Sequence, residues 1–508
     1  MGDAQIPLQH NGALPPLDLK NIQGDILEGI AKKVQTFFFF RIKADHAASF
    51  RNQLTHLLPL ITSAKDARSF REEIKDAKRR IAPEGHQIGL IENSSVNIAF
   101  SQFGLTALGI TDDIKDGPFK IGQKKDAVEK LGDKLEDWDP AFKNDVHGVI
   151  LVAASHQHVL NRGWDRVKHI FHVGHKDASI EVVKELDGKL RPGAEKGHEH
   201  FGFNDGLSQP SVKGVSAPDM DGPHDGPVDQ GIILVGREGD NGDVPPGAGQ
   251  VGPGPVSRPS WAIDGSFLAF RYLKQLVPEF DAFLEKSANA ADVGPEIPRE
   301  EVKDLLGARL VGRWKSGAPV QLAPGRDDPS LAAPDKNQNF RFNIDSQELC
   351  PYAAHIRKTN PRGDLDSKND DGTINNNTDV RRIIRRGITF GPEVTPEERE
   401  SKKSSSDDKL ERGLLFACYQ SNIANGFEFL QNVWANNPDF PFPPNGKPGF
   451  DPLIGVAPAG TVREMEGAFK NDLTKPLTLT ADWVISRGGE YFFSPSIPAL
   501  KKTFAKKA

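Results

Sequence analysis

The chain has 508 residues, of which 26% are charged, a formal net charge of −6 at pH 7 and only two cysteines. The acidic balance argues against nucleic acid as the main partner, because phosphate binding favours a basic surface. Two cysteines exclude a disulfide framework, and no apolar run approaches the roughly 20 residues that a membrane helix needs. These properties predict a soluble globular protein of roughly two or three domains, with no membrane or nucleic-acid partner.

Hydrophobic periodicity predicts a mixture of strands and helices in the first half of the chain. Residues 34–43 and 146–153 are apolar runs typical of buried strands, and residues 181–191 are predicted to form a hairpin that turns at Asp187-Gly188. A helical pattern covers residues 50–61. Because strands and helices do not alternate regularly, the pattern favours an α+β fold over a doubly wound sheet.

A stretch rich in Pro, Gly and Asp, residues 216–259, predicts a long connector between an N-terminal half (15–215) and a C-terminal half (260–505). Its segment GAGQVG, residues 247–252, matches the GxGxxG pattern of dinucleotide sites. Prolines on both sides leave no strand before it and no helix after it, so we expect no dinucleotide site there. The C-terminal half has strand patterns at 266–273, 412–420, 483–486 and 490–494 and helical patterns at 278–287, 299–306 and 426–436.

Three segments carry candidate catalytic residues, and each also has an ordinary structural interpretation. In FGFNDGLSQP, Asp205 is either part of a tight turn or a placed acid or base. In SQELCPYAAHIRKTNPR, His355 lies near the end of a predicted short helix and is either a ligand or a histidine satisfied within the core. In DVRRIIRRGITFGPE, Arg385 either turns inward or belongs to a solvated basic strand face.

Other chemistries have weaker support. The histidines between residues 147 and 200, among them His169, His172 and His175, have spacings that resemble those of zinc ligands. They lack an HExxH motif and thiolate partners, so we expect no zinc site. Neither the GxSxG elbow of serine hydrolases nor a Walker phosphate-binding loop is present.

The three segments together resemble the signature set of the dye-decolorizing peroxidases, a family of haem enzymes. FGFNDG carries the family's GxxDG motif, CPYAAHIRKTNPR resembles its proximal-histidine segment, and RIIRRGITFG resembles its distal-arginine segment. The likeness runs from PPLDLKNIQGDIL, residues 15–27, to RGGEYFFSPSIPAL, residues 487–500, and is strongest to the large fungal branch. It implies an α+β fold of two ferredoxin-like halves with antiparallel sheets, with haem held in the C-terminal half.

The resemblance also implies one haem b per chain and a role for each candidate residue. His355 would be the axial ligand of the haem iron, and Asp451 would accept a hydrogen bond from its other ring nitrogen. Asp205 would take a proton from hydrogen peroxide and return it to the departing oxygen, while Arg385 would stabilise negative charge. The other implied site residues are Arg357, Arg362, Gly206, Leu414 and Phe416 at the cofactor and Trp434 in electron transfer at the surface.

The implied function is that of a haem peroxidase that reduces hydrogen peroxide and oxidises dyes, phenols and lignin-like aromatics by one-electron steps. Leu414 and Phe416 would restrict the distal side to small molecules, so bulky donors would deliver electrons through Trp434. Phe390 stands where some relatives place a tyrosine. A phenylalanine has no phenolic proton to lose, which puts an electron route through this position in doubt.

Two alternative functions stay open. The first is oxidation of Mn(II) at exposed carboxylates, for which the sequence offers Asp364, Asp366, Asp370, Asp371, Glu397, Glu398 and Glu400. The second is a non-enzymatic haem carrier, which would need His355 but neither Asp205 nor Arg385. An extracellular location is expected from the family, whereas the absence of a secretory signal from the sequence as written favours a cytoplasmic one.

Overall fold

The computed structural model describes residues 16–81, 91–215, 226–242, 256–290, 299–368, 374–375 and 378–505. One nine-stranded antiparallel sheet organises this part of the chain. Its strands are β1 (Val34–Ile42), β2 (Ser94–Phe100), β3 (Gly148–Ala154), β4 (Ile180–Lys189), β5 (Ser266–Gln275), β6 (Ile384–Arg385), β7 (Ile388–Phe390), β8 (Gly413–Gln420) and β9 (Val484–Ser494). They lie in the order β4-β1-β3-β2-β9-β5-β8-β6, and β7 also pairs with β8.

Helices cover the sheet and connect its strands. They are α1 (Ala47–Leu57), α2 (Ala64–Ile81), α3 (Gln102–Ala107), α4 (Gly117–Ile121), α5 (Gln123–Asp126), α6 (Gln157–Ile170), α7 (Val277–Ala290), α8 (Arg299–Val311), α9 (His355–Thr359), α10 (Pro396–Ser401), α11 (Phe427–Phe429) and α12 (Ile497–Ala499). Three of them continue as π-helical turns, at Ala127–Leu131, Leu430–Ala435 and Leu500–Phe504. Within the described ranges, no helix is both long and apolar enough to cross a membrane.

The strand order contains the same unit twice. The first half has the order β4-β1-β3-β2, and the second half repeats it as β9-β5-β8 followed by β6 and β7. Both are the ferredoxin-like arrangement, so the predicted α+β fold of two ferredoxin-like halves is confirmed. Phe100 of β2 pairs with Phe493 of β9, which joins the halves into one sheet.

The sheet also curls, so that strands from its two ends meet. The Thr389 hydroxyl of β7 donates a hydrogen bond to the Lys189 carbonyl of β4 at 2.6 Å.

The boundaries predicted for the two halves and for the connector between them stay a prediction. Residues 216–225 and 243–255 of the predicted connector, including the GxGxxG match, lie outside the described residues.

The run of four phenylalanines in β1 supplies much of the core, because successive strand side chains point to opposite faces. The Phe39 ring lies 4.8 Å from that of Phe270 in the other half, while the Phe38 ring lies 4.1 Å from Trp164 of α6 on the opposite face. All four phenylalanines are fully buried. Each such burial contributes about 1.5–3 kcal/mol relative to an exposed side chain, so β1 holds both the helical layer and the second half in place.

The predicted hairpin over residues 181–191 is wrong. Ile180–Lys189 form one continuous strand in which Asp187 and Gly188 pair with Thr36 and Gln35 of β1. A Cβ on Gly188 would lie 2.2 Å from Cγ2 of Ile388 in β7. Glycine is therefore required here by the close approach of a neighbouring strand, and not by a turn.

Candidate active site

A cavity of about 340 Å³ lies where β5 and β8 face α9 and the π-helical turn at Leu430–Ala435. Its wall brings together the key residue of each of the three signature segments: Asp205, His355 and Arg385. Asp205 and Arg385 are 180 positions apart in the sequence, yet their side chains are in contact. The fold therefore converts three separate motifs into one site.

His355 is the first residue of α9 rather than lying near the helix end, as the sequence predicted. Its Nδ1 lies 2.8 Å from Oδ2 of Asp451, whose side chain is fully buried. The other carboxylate oxygen of Asp451 accepts the backbone N–H groups of Leu453 and Ile454, which fixes its orientation. Because Nδ1 is committed to Asp451, Nε2 is the ring nitrogen that remains for a ligand.

The two groups of this pair shift each other's pKa in opposite directions. Burial lowers the pKa of His355, but the neighbouring Asp451 carboxylate outweighs burial and leaves the pKa raised. Burial raises the pKa of Asp451, but His355 and the backbone N–H donors outweigh it and leave the pKa lowered. Asp451 therefore stays ionised and increases the electron density on the imidazole.

Asp205 and Arg385 form an ion pair on the cavity wall, with Nη1 and Oδ1 separated by 2.6 Å. Burial raises the pKa of Asp205, but the Arg385 guanidinium and the N–H of Gly206 outweigh burial and leave the pKa lowered. The Gln209 side chain holds the backbone of Arg385 from both sides, accepting its N–H at 2.9 Å and donating to its carbonyl at 3.1 Å. Gln209, in the loop that carries Asp205, thus fixes the backbone from which the Arg385 guanidinium extends.

The loop that carries Asp205 is also a tight turn. Gly206 has φ 76°, in the left-handed region that favours glycine, and a Cβ built on it would meet nothing within 4 Å. Glycine is needed here for its backbone conformation, and its position leaves the cavity wall open next to Asp205. The turn and the placed carboxylate, weighed as alternatives in the sequence, are both present.

Leu414 and Phe416 line the cavity from β8 and are both half-buried. The intervening Leu415 and the following Ala417 are fully buried. This alternation follows from the two-residue period of a strand, which turns positions 414 and 416 to the same face. Their predicted position on the cavity wall therefore agrees with the structure.

Arginines supply the cationic part of the wall. Arg362 lines the cavity and donates to the Ser208 hydroxyl and the Gln338 carbonyl, both at 2.8 Å. The prediction missed Arg382, which also lines the cavity and donates to Asn360 Oδ1 at 2.6 Å. The signal was present in DVRRIIRR, where the sequence singled out only Arg385 as a residue that turns inward. The other cavity arginines that the sequence did not single out are Arg271, Arg313 and Arg381.

Arg357 does not line the cavity and is not positioned for the cofactor contact that the sequence predicted. Residues 355 and 357 are two apart on α9, which places them about 200° apart around the helix. The guanidinium of Arg357 is fully buried and pairs with Asp364 through two bonds of 2.7 and 2.8 Å. It also donates to the carbonyls of Asn343, Ser346 and Cys350.

Replacing Arg357 with leucine is therefore expected to lower stability without changing the cavity. The substitution leaves the buried Asp364 carboxylate unpaired, which costs roughly 3–5 kcal/mol of unfolding free energy. Chemical denaturation of the parent and variant measures this loss, and the double variant Arg357→Leu/Asp364→Leu should recover part of it. Parent stability together with weakened cofactor binding would instead support the predicted cofactor contact.

Trp434 is buried, with 4% of its surface exposed, so the predicted surface position is wrong. Its ring stacks on Phe440 with centroids 4.9 Å apart and an interplanar angle of 11°, and the Phe429 ring meets its edge. Leu430 and Gln431, in the same π-helical turn, line the cavity. Trp434 thus lies close to the cavity wall, beneath the segment that contains Phe440.

Five of the seven carboxylates considered for Mn(II) are among the described residues; three of these form ion pairs, whereas Glu397 and Glu400 of α10 are exposed. Asp364 is buried against Arg357, Asp366 pairs with Arg341, and Glu398 is buried against Arg412. Asp370 and Asp371 lie outside the described residues. Across the part of the chain that the structure describes, no group of three or more His, Cys, Asp or Glu side chains is arranged to hold a metal ion.

The two cysteines are both buried and free, so Cys350 and Cys418 do not form a disulfide.

The sequence and the fold have close counterparts among known proteins. Residues 21–192 match the family described as "DyP dimeric alpha+beta barrel domain". The dye-decolorizing peroxidase msp1 of Mycetinis scorodonius is 43% identical over 498 residues, which cover 96% of this chain and 87% of that protein. A dye-decolorizing peroxidase of Mycena epipterygia is 42% identical, over 95% of this chain and 86% of that protein. The solved structure of an ancestral D-type dye-decolorizing peroxidase is 50% identical, with a TM-score of 0.85 over 97% of this chain and 100% of that one.

The chain belongs to the dye-decolorizing peroxidase family, whose members are haem enzymes and oxidoreductases that act on hydrogen peroxide. The relatives named above from Mycetinis scorodonius and Mycena epipterygia are fungal proteins, matched over nearly the full length of this chain. The predicted family, its fungal branch and the enzyme class are therefore confirmed.

Proposed function

We propose that the chain binds one haem b through His355 and uses it to reduce hydrogen peroxide and to oxidise dyes and phenols by one-electron steps. The observation that carries this proposal is that a single cavity is lined by His355, the exposed member of the His355–Asp451 pair, and by both members of the Asp205–Arg385 pair. A haem carrier would need only the first pair. A relative solved as a complex with 2,6-dimethoxyphenol, 41% identical over 96% of this chain, supports phenols as donors.

The residues present fit haem. The bond between Nδ1 and Asp451 leaves Nε2 of His355 free to hold the iron, and the apolar side chains Leu273, Val311 and Leu430 would enclose a flat macrocycle. Arg362 and Arg382 carry guanidinium groups on the same wall, which suit the two propionates. Bound haem would supply the redox-active iron at which peroxide is reduced.

The chain's own residues would then handle the proton and the charge. Asp205, kept ionised by Arg385, would accept a proton from the peroxide oxygen that approaches the iron and return it to the oxygen that leaves. Arg385 would offset the negative charge that develops as the O–O bond breaks. Leu414 and Phe416, on the same cavity wall, would keep larger molecules away from this step.

The pH dependence of the peroxide reaction tests this proposal. Because the pKa of Asp205 is lowered, the carboxylate remains ionised below about pH 4, the ordinary range for aspartate. The rate constant for peroxide should therefore persist in acid and fall only as the pH drops through the lowered pKa. In Arg385→Leu the acid limb should move to higher pH, whereas Arg385→Lys should move it less. An acid limb at the same pH in all three proteins would contradict the proposal.

We also propose that Trp434 passes electrons from bulky donors to the cofactor. Its support is the position of Trp434 in the π-helical turn whose Leu430 and Gln431 line the cavity. Trp434→Phe should keep the stacking on Phe440 but remove the oxidisable indole, so turnover of a large anthraquinone dye should fall while the reaction with peroxide stays unchanged. Stopped-flow and steady-state kinetics measure the two steps separately. Equal dye turnover by parent and variant would remove Trp434 from the route.

A further inference from the structure

Phe442 is the outermost member of an aromatic stack that begins at the molecular surface. Its side chain is 60% exposed, whereas Phe440 is fully buried and Trp434 is 4% exposed. The ring centroids of Phe442 and Phe440 are 5.6 Å apart in an edge-to-face arrangement, and those of Phe440 and Trp434 are 4.9 Å apart and nearly parallel. The three rings therefore connect solvent to the turn that lines the cavity.

The exposure of Phe442 is unusual within the described part of this chain. Every other phenylalanine and tryptophan among the described residues is buried or half-buried. Its backbone is at φ 63°, in the left-handed region that bulky side chains rarely adopt. A strained backbone that presents an apolar ring to water persists only where the surroundings enforce it, and such positions concentrate at functional sites.

The helix that carries His355 holds the segment that leads to Phe442. Lys358, three residues further along α9, donates to the carbonyls of Asn437 and Phe440, both at 2.6 Å. The N–H of Phe442 donates to the Asp439 carbonyl at 2.8 Å and closes the turn. Lys358 therefore ties Phe440, and the turn that ends at Phe442, to the same short helix that carries His355.

We infer that Phe442 is the docking platform for planar aromatic donors, stacking against them at the surface while Phe440 bridges them to Trp434. This inference rests on the proposed role of Trp434 in electron transfer. It explains how a donor would reach a tryptophan that it cannot touch. Phenylalanine is not itself oxidised in this arrangement: one electron passes from the bound donor by way of Trp434 to the cofactor, with hydrogen peroxide as the terminal oxidant. The donor releases any acidic proton to solvent and leaves as a radical.

Docking is tested first without peroxide, by titrating the haem-loaded protein with a sulfonated anthraquinone dye and measuring the dissociation constant by equilibrium dialysis. Phe442→Ala should weaken binding by about two- to tenfold, the range that one aromatic pair contributes. Phe442→Trp should bind at least as tightly as the parent. The matched control is Val462→Ala, since Val462 is 63% exposed and is not part of the stack. Equal binding by the parent, Phe442→Ala and Val462→Ala would overturn the inference.

The bridge is tested separately by kinetics. Phe440→Leu keeps an apolar side chain but removes the ring between Phe442 and Trp434, so the KM for the dye should stay at the parent value while kcat falls. A parent kcat in this variant would contradict the bridging role of Phe440. Because dye binding is measured without turnover, loss of binding in Phe442→Ala would stand even if Trp434→Phe showed that Trp434 carries no electrons.

Discussion

His355→Ala is expected to yield a folded protein that does not retain haem. Nε2 of His355 is the ring nitrogen left for iron once Nδ1 is bound to Asp451, so alanine removes the proposed ligand. The purified variant, reconstituted with haem and passed through a desalting column, should show no Soret band. Circular dichroism should show that the variant is folded, because the buried Asp451 carboxylate keeps the backbone N–H donors of Leu453 and Ile454 when the imidazole is removed.

The partner of His355 provides a graded control for this experiment. Asp451→Asn keeps a side chain that can accept a hydrogen bond from Nδ1 but loses the charge that orients and polarises the ring. Changes to such supporting groups typically cost about 10- to 100-fold in metal affinity, so this variant should bind haem more weakly than the parent but still show the band. A normal Soret band in His355→Ala would exclude the axial role.

Asp205→Asn should have the second large effect, on the reaction with peroxide and not on haem binding. The amide preserves the size of the side chain and a contact with Arg385, but it cannot accept a proton at neutral or acidic pH. Loss of a general acid–base group typically lowers a rate by about 10²- to 10⁴-fold. Stopped-flow absorbance after mixing with hydrogen peroxide measures the rate constant directly.

A second carboxylate on the cavity wall provides a control for the effect of Asp205→Asn. Asp137 also lines the cavity but is not paired with Arg385. Asp137→Asn should therefore react with peroxide at the parent rate, and both variants should retain the Soret band. If Asp205→Asn also reacted at the parent rate, the proposed proton transfer would be wrong.

The identity of the main site residues could be predicted from short sequence motifs. The placement of side chains that depends on packing between distant parts of the chain could be predicted less well. Asp205, His355 and Arg385 were each ambiguous in isolation, and only their combination pointed to one site. Leu414 and Phe416 were implied by the resemblance, and the strand period explains why both face the cavity. The contact between His355 and Asp451 spans 96 positions and was proposed from the resemblance, not from any local pattern.

The wrong predictions concern residues whose positions depend on contacts with parts of the chain that are distant in sequence or on where a helix begins. Arg357 points away from the cavity because both it and His355 belong to α9. Two positions along a helix correspond to about 200° of rotation. The glycine at position 188 suggested a turn, but it lies within a strand. Glycine is needed there because Ile388, 200 positions later, passes too close for a side chain. Trp434 is buried because the segment containing Phe440 folds over it and is held there by Lys358.

The most direct test of the account is the visible absorption spectrum of the haem-loaded parent protein before and after one equivalent of hydrogen peroxide. If His355 holds haem in the same cavity where Asp205 and Arg385 act, a Soret band should be present, should shift within the mixing time, and should return on addition of a phenol or dye. A protein that binds haem but whose spectrum does not change with peroxide would be a carrier, and would contradict the proposed peroxidase site.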